Sequence, residues 1–202
     1  NLFFKKKFGN FGNMPPKRRR ADTLTGGTGD VNPQYLSSTA STSAANTTTT
    51  TTITLPVVRI PDASVVTIIE VLKIWVNMPE PDAAAAATET LRNFSMIFST
   101  TSFGTTTTGY SNPLVFAGVF ADARTAFTAA GTEMSIWNPL REYDCTDGAG
   151  HGILIATDRL FVQISSTLWS SGVESVGFKM LYRFKTVGIL EYVGIVQSQQ
   201  SS

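Results

Sequence analysis

The sequence predicts an all-β protein: an eight-stranded antiparallel jelly-roll sandwich with a disordered basic N-terminal arm and one short helix. Three observations lead there. Thr is heavily used, with runs at 47–52 and 105–108, and Thr favours strands over helices. Apolar and polar residues alternate over 173–185, the period of a strand. From residue 53 onward, eight apolar segments are separated by Gly, Pro, Asn and Asp turn signals. Two packed antiparallel sheets bury that many short strands, and eight strands in double Greek-key order make the jelly roll.

The N-terminus comes first in the chain. Residues 1–20 hold Lys5, Lys6, Lys7, Lys17, Arg18, Arg19 and Arg20 and no acid, a charge of +7, whereas the whole chain is at only +1. The body is therefore acidic, and a basic tail on an acidic body points to a polyanionic partner for the tail. The first Met is Met14. Either Met14 is the natural start and residues 1–13 are a non-native extension, or the chain is a processed or partial one. Residues 21–52 are Gly, Ser, Thr and Asn with few apolar groups. Such a segment buries too little surface to offset its ordering entropy, so it reads as a flexible linker. The expected organisation is arm and linker over 1–52 and one folded domain over 53–202.

Within the domain, 53–60 is the first expected strand, with Pro56 suiting an edge. The run 65–76 is apolar on both alternating faces, so it is expected to be buried on both sides. Pro79, Pro81 and the alanines of 83–87 predict the short helix. Strands follow at 92–98 and 114–121. The stretch 122–150 reads as a long loop with at most a short strand at 133–137. Segments 153–156 and 160–165 flank Thr157-Asp158-Arg159 and read as a hairpin. The clearest strand is 173–185, with Val176, Phe178, Met180, Tyr182 and Phe184 on one face and Lys179, Arg183 and Lys185 on the other. Gly188 is expected to turn the chain into a last strand at 189–196.

Composition narrows the chemistry. Charged residues are only 15% of the chain, against about 25% in an average soluble domain. So few charges suit faces that are shared with other subunits. Cys145 is the one cysteine and His151 the one histidine. That leaves no disulfide framework, no Cys-based zinc site and no cofactor motif. Asp144, Cys145, Asp147 and His151 fall in one loop, but no second His or Cys completes a catalytic or metal site, and a buried Cys145 is the default. No uncharged apolar run reaches the length of about 18 residues that a transmembrane helix needs. No apolar segment follows Lys5 to Lys7 to make a signal peptide. Neither an enzyme nor membrane insertion is expected.

The candidate binding residues are basic. Lys17 to Arg20, preceded by Lys5 to Lys7, can neutralise phosphates and release counterions without any fold or sequence readout. The same string has the form of a nuclear import signal. Lys179, Arg183 and Lys185 either extend that site along a sheet or belong to an ordinary solvated face. Of the tryptophans, Trp75 is expected in the core, while Trp137 and Trp169, beside Pro and Ser, are candidate contact residues.

The C-terminal stretch runs from Gly177 through Phe178-Lys179-Met180-Leu181-Tyr182-Arg183-Phe184-Lys185 to Leu190-Glu191-Tyr192-Val193-Gly194-Ile195-Val196-Gln197. It resembles the end of the small capsid proteins of circular, Rep-encoding single-stranded DNA viruses, the circovirus-like group. The basic start at Met14 to Arg20 and the Ser/Thr-rich linker resemble that family in layout. The resemblance implies a jelly-roll subunit that forms a small T=1 icosahedral shell of sixty copies and packages single-stranded DNA through its arm. It also implies use of the host nuclear import machinery, and localisation to the virion and, during assembly, the host nucleus. The arm departs from the family in being shorter and poorer in Arg. With about one charge per nucleotide as the reference, sixty such arms neutralise only part of a genome on the order of a thousand or more phosphates. Either an inner sheet surface or small cations supply the rest. The loops at 77–90, 100–113 and 122–150 are the candidate intersubunit and outward-facing surfaces. Two other readings fit the residues: a lectin-like or trimeric β-sandwich adhesion module, and the capsid protein of a small RNA virus.

Overall fold

A computed structural model describes residues 32–56, 64–82, 90–127, 133–135 and 140–200. Ten strands and a helix follow in order: β1 Gln34–Ser41, β2 Thr48–Thr54, β3 Val65–Asn77, β4 Thr90–Ser99, β5 Val115–Phe127, β6 Glu133–Ser135, β7 Leu140–Asp144, β8 Ile153–Ile155, β9 Arg159–Thr167, β10 Ser175–Gly188 and α1 Ile189–Gln200. All pairings are antiparallel. Sheet A has the order β1-β10-β3-β7, with β8 also on β3; sheet B has the order β2-β9-β4-β5-β6. β7 lies on Lys73 to Asn77 and β8 on Ile69 to Val71 of the same strand. The two therefore fill one strand position, and β6 only extends the edge of β5. The remaining order interleaves the first and last strands in both sheets, which is the jelly roll expected from the sequence.

Alternation explains the core. Val176, Phe178, Met180 and Tyr182 of β10 are buried, as the period-two pattern requires. They meet Phe94, Met96 and Phe98 of β4 and Leu160, Val162 and Ile164 of β9 in one cluster between the sheets. Phe98 and Phe178 pack edge to face at 5.2 Å, joining the two layers. Each such ring buried from water contributes about 1.5–3 kcal/mol. β3 is buried on both faces at its centre, where Ile68, Ile69, Val71 and Leu72 are all covered. That matches the expectation from its continuous apolar run.

Five expectations need correction. The 21–52 linker is not structureless throughout, because β1 and β2 lie within 34–54. Only Ala40 of β1 and Ile53 of β2 are fully buried hydrophobics. These strands are held by their ladders to β10 and β9 rather than by their own apolar content. Where the first strand was expected at 53–60, Ile53 and Thr54 instead end β2, and 57–60 lie outside the described residues. The 122–150 loop carries more strand than expected, since β5 runs on to Phe127 and β6 and β7 follow. The 153–165 segment is not a hairpin: β8 pairs with β3 in sheet A and β9 pairs with β2 and β4 in sheet B, so the chain crosses between sheets there.

The last expected strand, 189–196, is the helix α1. Tyr192, Ile195 and Val196 follow helical spacing and pack on Ile68, Val187 and Ala156. Thr100 and Thr101 hydroxyls donate to the Gln199 carbonyl, and the Gln199 amide donates to Leu154 O at 2.6 Å. The helix thus covers one end of the outer face of sheet A. The helix expected at 83–87 lies outside the described residues.

Candidate nucleic-acid interface

The outer face of sheet A carries the sequence-predicted sheet residues. On β10 the odd-numbered residues point away from the core, so Lys179, Arg183 and Lys185 do share one face. Their surroundings differ. Arg183 is the register partner of Glu70 on β3. Its Nε donates to Glu70 Oε2 at 2.6 Å and its Nη2 to Gly150 O at 3.2 Å. Lys185 lies near the same carboxylate and contributes to its field. Burial alone would raise the Glu70 pKa, but the Arg183 hydrogen bond, the Gly152 amide and the two cations together hold it below its ordinary value. Arg183 is thus tied into a buried structural pair, while Lys179 stands further along the face. The arm residues Lys5, Lys6, Lys7, Lys17, Arg18, Arg19 and Arg20 lie outside the described residues.

Lys179 sits in an aromatic setting. Its ammonium lies 4.0 Å from the centre of the Tyr35 ring on β1, a cation–π distance. Across the ladder its partner on β3 is Trp75, whose ring centre is 6.2 Å from that of Tyr35. Trp75 is fixed edge-on: its Nε1 donates to Glu142 Oε2 at 2.9 Å, and Lys73 Nζ donates to the other oxygen at 2.6 Å. Those two hydrogen bonds, with that of Lys73 foremost, hold the Glu142 carboxyl below its ordinary range. Beside this group the sheet opens into a trough of about 600 Å³ lined by Ser37, Thr39, Trp75, Asn77, Gly177 and Lys179. Gly177 forms the floor, and a Cβ there would meet nothing within 4 Å.

Sequence reasoning placed Gly177 and Lys179 on the polar face of their strand but missed Tyr35 and Trp75. Tyr35 was lost with β1, in a segment too polar to read as a strand. Trp75 was expected in the core, yet it faces outward and is only half-buried. The reverse holds for Trp169, a candidate contact residue, which is fully buried. It packs 5.5 Å from Phe94 and donates to Pro79 O at 3.0 Å. Trp137 lies outside the described residues.

The Asp144 to His151 loop behaves as an ordinary turn. Asp147 accepts from the Ala149 and His151 amides and pairs with the His151 ring at 3.0 Å. Burial pushes the Cys145 thiol up to about 12, so it stays protonated at neutral pH. No group of three or more potential metal ligands occurs among the described residues. None of the described helices is long and apolar enough to cross a membrane.

Of the candidate surface loops, 100–113 folds back over sheet B. Gln163 of β9 is buried and binds it from beneath: its carbonyl accepts the Thr108 N–H at 3.0 Å and its amide donates to Thr106 O at 2.9 Å. Thr50 Oγ1 donates to Gly104 O. The Tyr110 ring lies against Gly118 and Phe120, and its hydroxyl meets that of Tyr143 at the edge of the sandwich.

No family model matches the chain, and no curated protein matches it in sequence. Solved structures with a similar chain path include polyomavirus VP1 proteins. VP1 of Trichodysplasia spinulosa-associated polyomavirus in complex with GM1 oligosaccharide has a TM-score of 0.48 at 11% identity, covering 77% of this chain and 95% of that one. Merkel cell polyomavirus VP1 in complex with 3'-sialyllactosamine has a TM-score of 0.46 at 8% identity, covering 79% and 97%. Apo New Jersey polyomavirus VP1 has a TM-score of 0.44 at 8% identity, covering 77% and 99%. The jelly-roll assignment of this chain stands on its own strand order.

Proposed function

We propose that this chain is a viral capsid protein that self-assembles into a closed shell and packages single-stranded DNA through its basic N-terminal segment. The observation that carries this reading is a jelly-roll sandwich preceded by a segment with seven cations and no acid. Closed symmetric assemblies need subunits that present complementary patches, and the low charge of this body suits them. The circovirus-like resemblance of the C-terminal stretch supplies the finer proposal: sixty copies in a T=1 shell, a DNA cargo, and passage through the host nucleus by way of Lys17 to Arg20. No catalytic role is part of this reading. β1 begins at Gln34 on the edge of sheet A, where Gln34 accepts from the Tyr182 hydroxyl at 3.1 Å.

The test is a salt titration of single-stranded DNA binding by the full chain. Binding by seven arm cations gives a log–log slope of about −5, from roughly −0.7 per neutralised phosphate. Replacing Lys17, Arg18, Arg19 and Arg20 with Gln is expected to flatten the slope by about 3 and to leave the fold intact. A slope unchanged by that replacement would remove the arm from the packaging role.

A further inference from the structure

We propose that the trough between Trp75, Gly177 and Lys179 is a nucleotide subsite, in which one base of the packaged strand lies against the Trp75 indole with its phosphate on Lys179. The inference rests on the packaging reading above and assigns part of that function to the shell itself.

Shape is the first argument. At about 600 Å³ the trough falls in the usual range of small-ligand sites, about 300–1,000 Å³. Its depth comes from a missing side chain: Gly177 faces Thr39 on one side and Asn77 on the other, and all three lie level with the open end of the sheet. α1 covers only the opposite end, over Ile68 and Val187. Trp75 forms the wall, and its indole cannot swing freely because Glu142 holds its N–H. A ring held in place and partly exposed on a sheet is a stacking platform, and stacking accepts any base.

Charge is the second argument. The lining contains Lys179 and no carboxylate. Glu142, the nearest acid to Trp75, has both oxygens engaged by Lys73 and the indole. Lys179 makes no ion pair among the described residues, and its contact with Tyr35 leaves the ammonium available to a phosphate oxygen. Ser37, Thr39 and Asn77 add neutral hydrogen-bonding groups around the rim.

Position is the third. The strand that brings in the basic segment starts at Gln34, three residues before Ser37, or about 10 Å along a strand. The arm's seven cations leave most of a genome's charge uncovered, and a repeated shell subsite supplies further contacts.

The test uses the full chain and a short oligothymidylate, reading affinity together with tryptophan emission. The emission of Trp75 is isolated as the difference from Trp75→Phe, which retains Trp137 and Trp169. Oligothymidylate is expected to quench the Trp75 component. Gly177→Leu fills the trough at a position that accepts a side chain, and is expected to abolish that quench and weaken binding roughly tenfold. Lys179→Ala, a surface change, is expected to lower the salt slope by about 0.7. Binding without any Trp75 quench would mean that the trough is closed by the arm or a neighbouring copy, and would overturn the subsite alone. Unchanged affinity and quench in Gly177→Leu would overturn it as well. Failure of the parent chain to bind oligothymidylate even at low salt would overturn the packaging reading with it.

Discussion

Arg183 and Glu70 are register partners across the middle of sheet A, and their side chains meet at 2.6 Å with the Glu70 side chain wholly buried. The same carboxylate accepts the Gly152 amide at 2.8 Å. Gly152 passes so close to β3 that a Cβ there would sit 2.2 Å from the Val71 carbonyl oxygen. One buried charge thus ties β10, β3 and the loop before β8 together. Removing its partner leaves a carboxylate uncompensated, which costs about 3–5 kcal/mol. Arg183→Met is expected to lose that much in denaturant unfolding. The double variant Arg183→Met with Glu70→Leu is expected to recover most of it, since apolar replacement of both partners is often close to neutral.

The same pair sets an acid limit. The folded pKa of Glu70 lies below its ordinary 4.5. Its stabilising contribution is therefore complete above about pH 4.5 and is lost as pH falls through the folded value. Thermal unfolding from pH 6 down to 3 is expected to show a falling midpoint, with a smaller fall in the double variant.

Glu174 has the opposite sign. It is buried, its Oε1 has no hydrogen-bond partner, and burial foremost, with Asp82 nearby, raises its pKa above 4.5. The fold favours its neutral form, so the contribution of Glu174 itself is most favourable below pH 4.5 and declines as pH rises through the folded value. Glu174→Gln removes the buried charge and is expected to stabilise the protein at pH 8 while making little difference at pH 4. A gain of equal size at both pH values would exclude this explanation.

Gln163 anchors the Thr-rich loop over sheet B. Gln163→Leu leaves the Thr108 N–H and the Thr106 carbonyl without their partner, at about 1–3 kcal/mol. Hydrogen exchange is expected to accelerate over 104–108 while the β10 amides remain protected. Uniform acceleration would show that the loop has no separate anchorage.

The tryptophans divide by environment. Trp169→Ala removes a fully buried ring and is expected to cost about 3–5 kcal/mol, whereas Trp75→Ala, on the outer face, is expected to cost about 1 kcal/mol. Equal losses in denaturant unfolding would contradict the burial assigned to each.

These cases show what was legible in the sequence. β10 and β3 were readable because their burial is written in their own residues, as alternation with Leu181 the exception in one and a double-faced apolar run in the other. β1 and β2 were not, because Ser and Thr strands stabilised by their neighbours' ladders look like a linker when read alone. α1 was misread from its Ile and Val content, although Tyr192, Ile195, Val196 and Gln199 carry the helical spacing. The β8–β9 crossing depends on which strand each segment meets, and proximity in sequence favoured a hairpin instead. At the candidate site, Lys179 was visible by alternation, but the trough needs Ser37 and Thr39 of β1 and Trp75 and Asn77 of β3. Only the register brings those together.

The central claim, a shell-forming protein that encloses nucleic acid, is tested most directly by negative-stain microscopy of the purified full chain with the 260/280 nm absorbance ratio of the same fraction. Uniform closed particles with the raised ratio of bound nucleic acid are expected. Monomers or trimers that persist across salt and pH would contradict it.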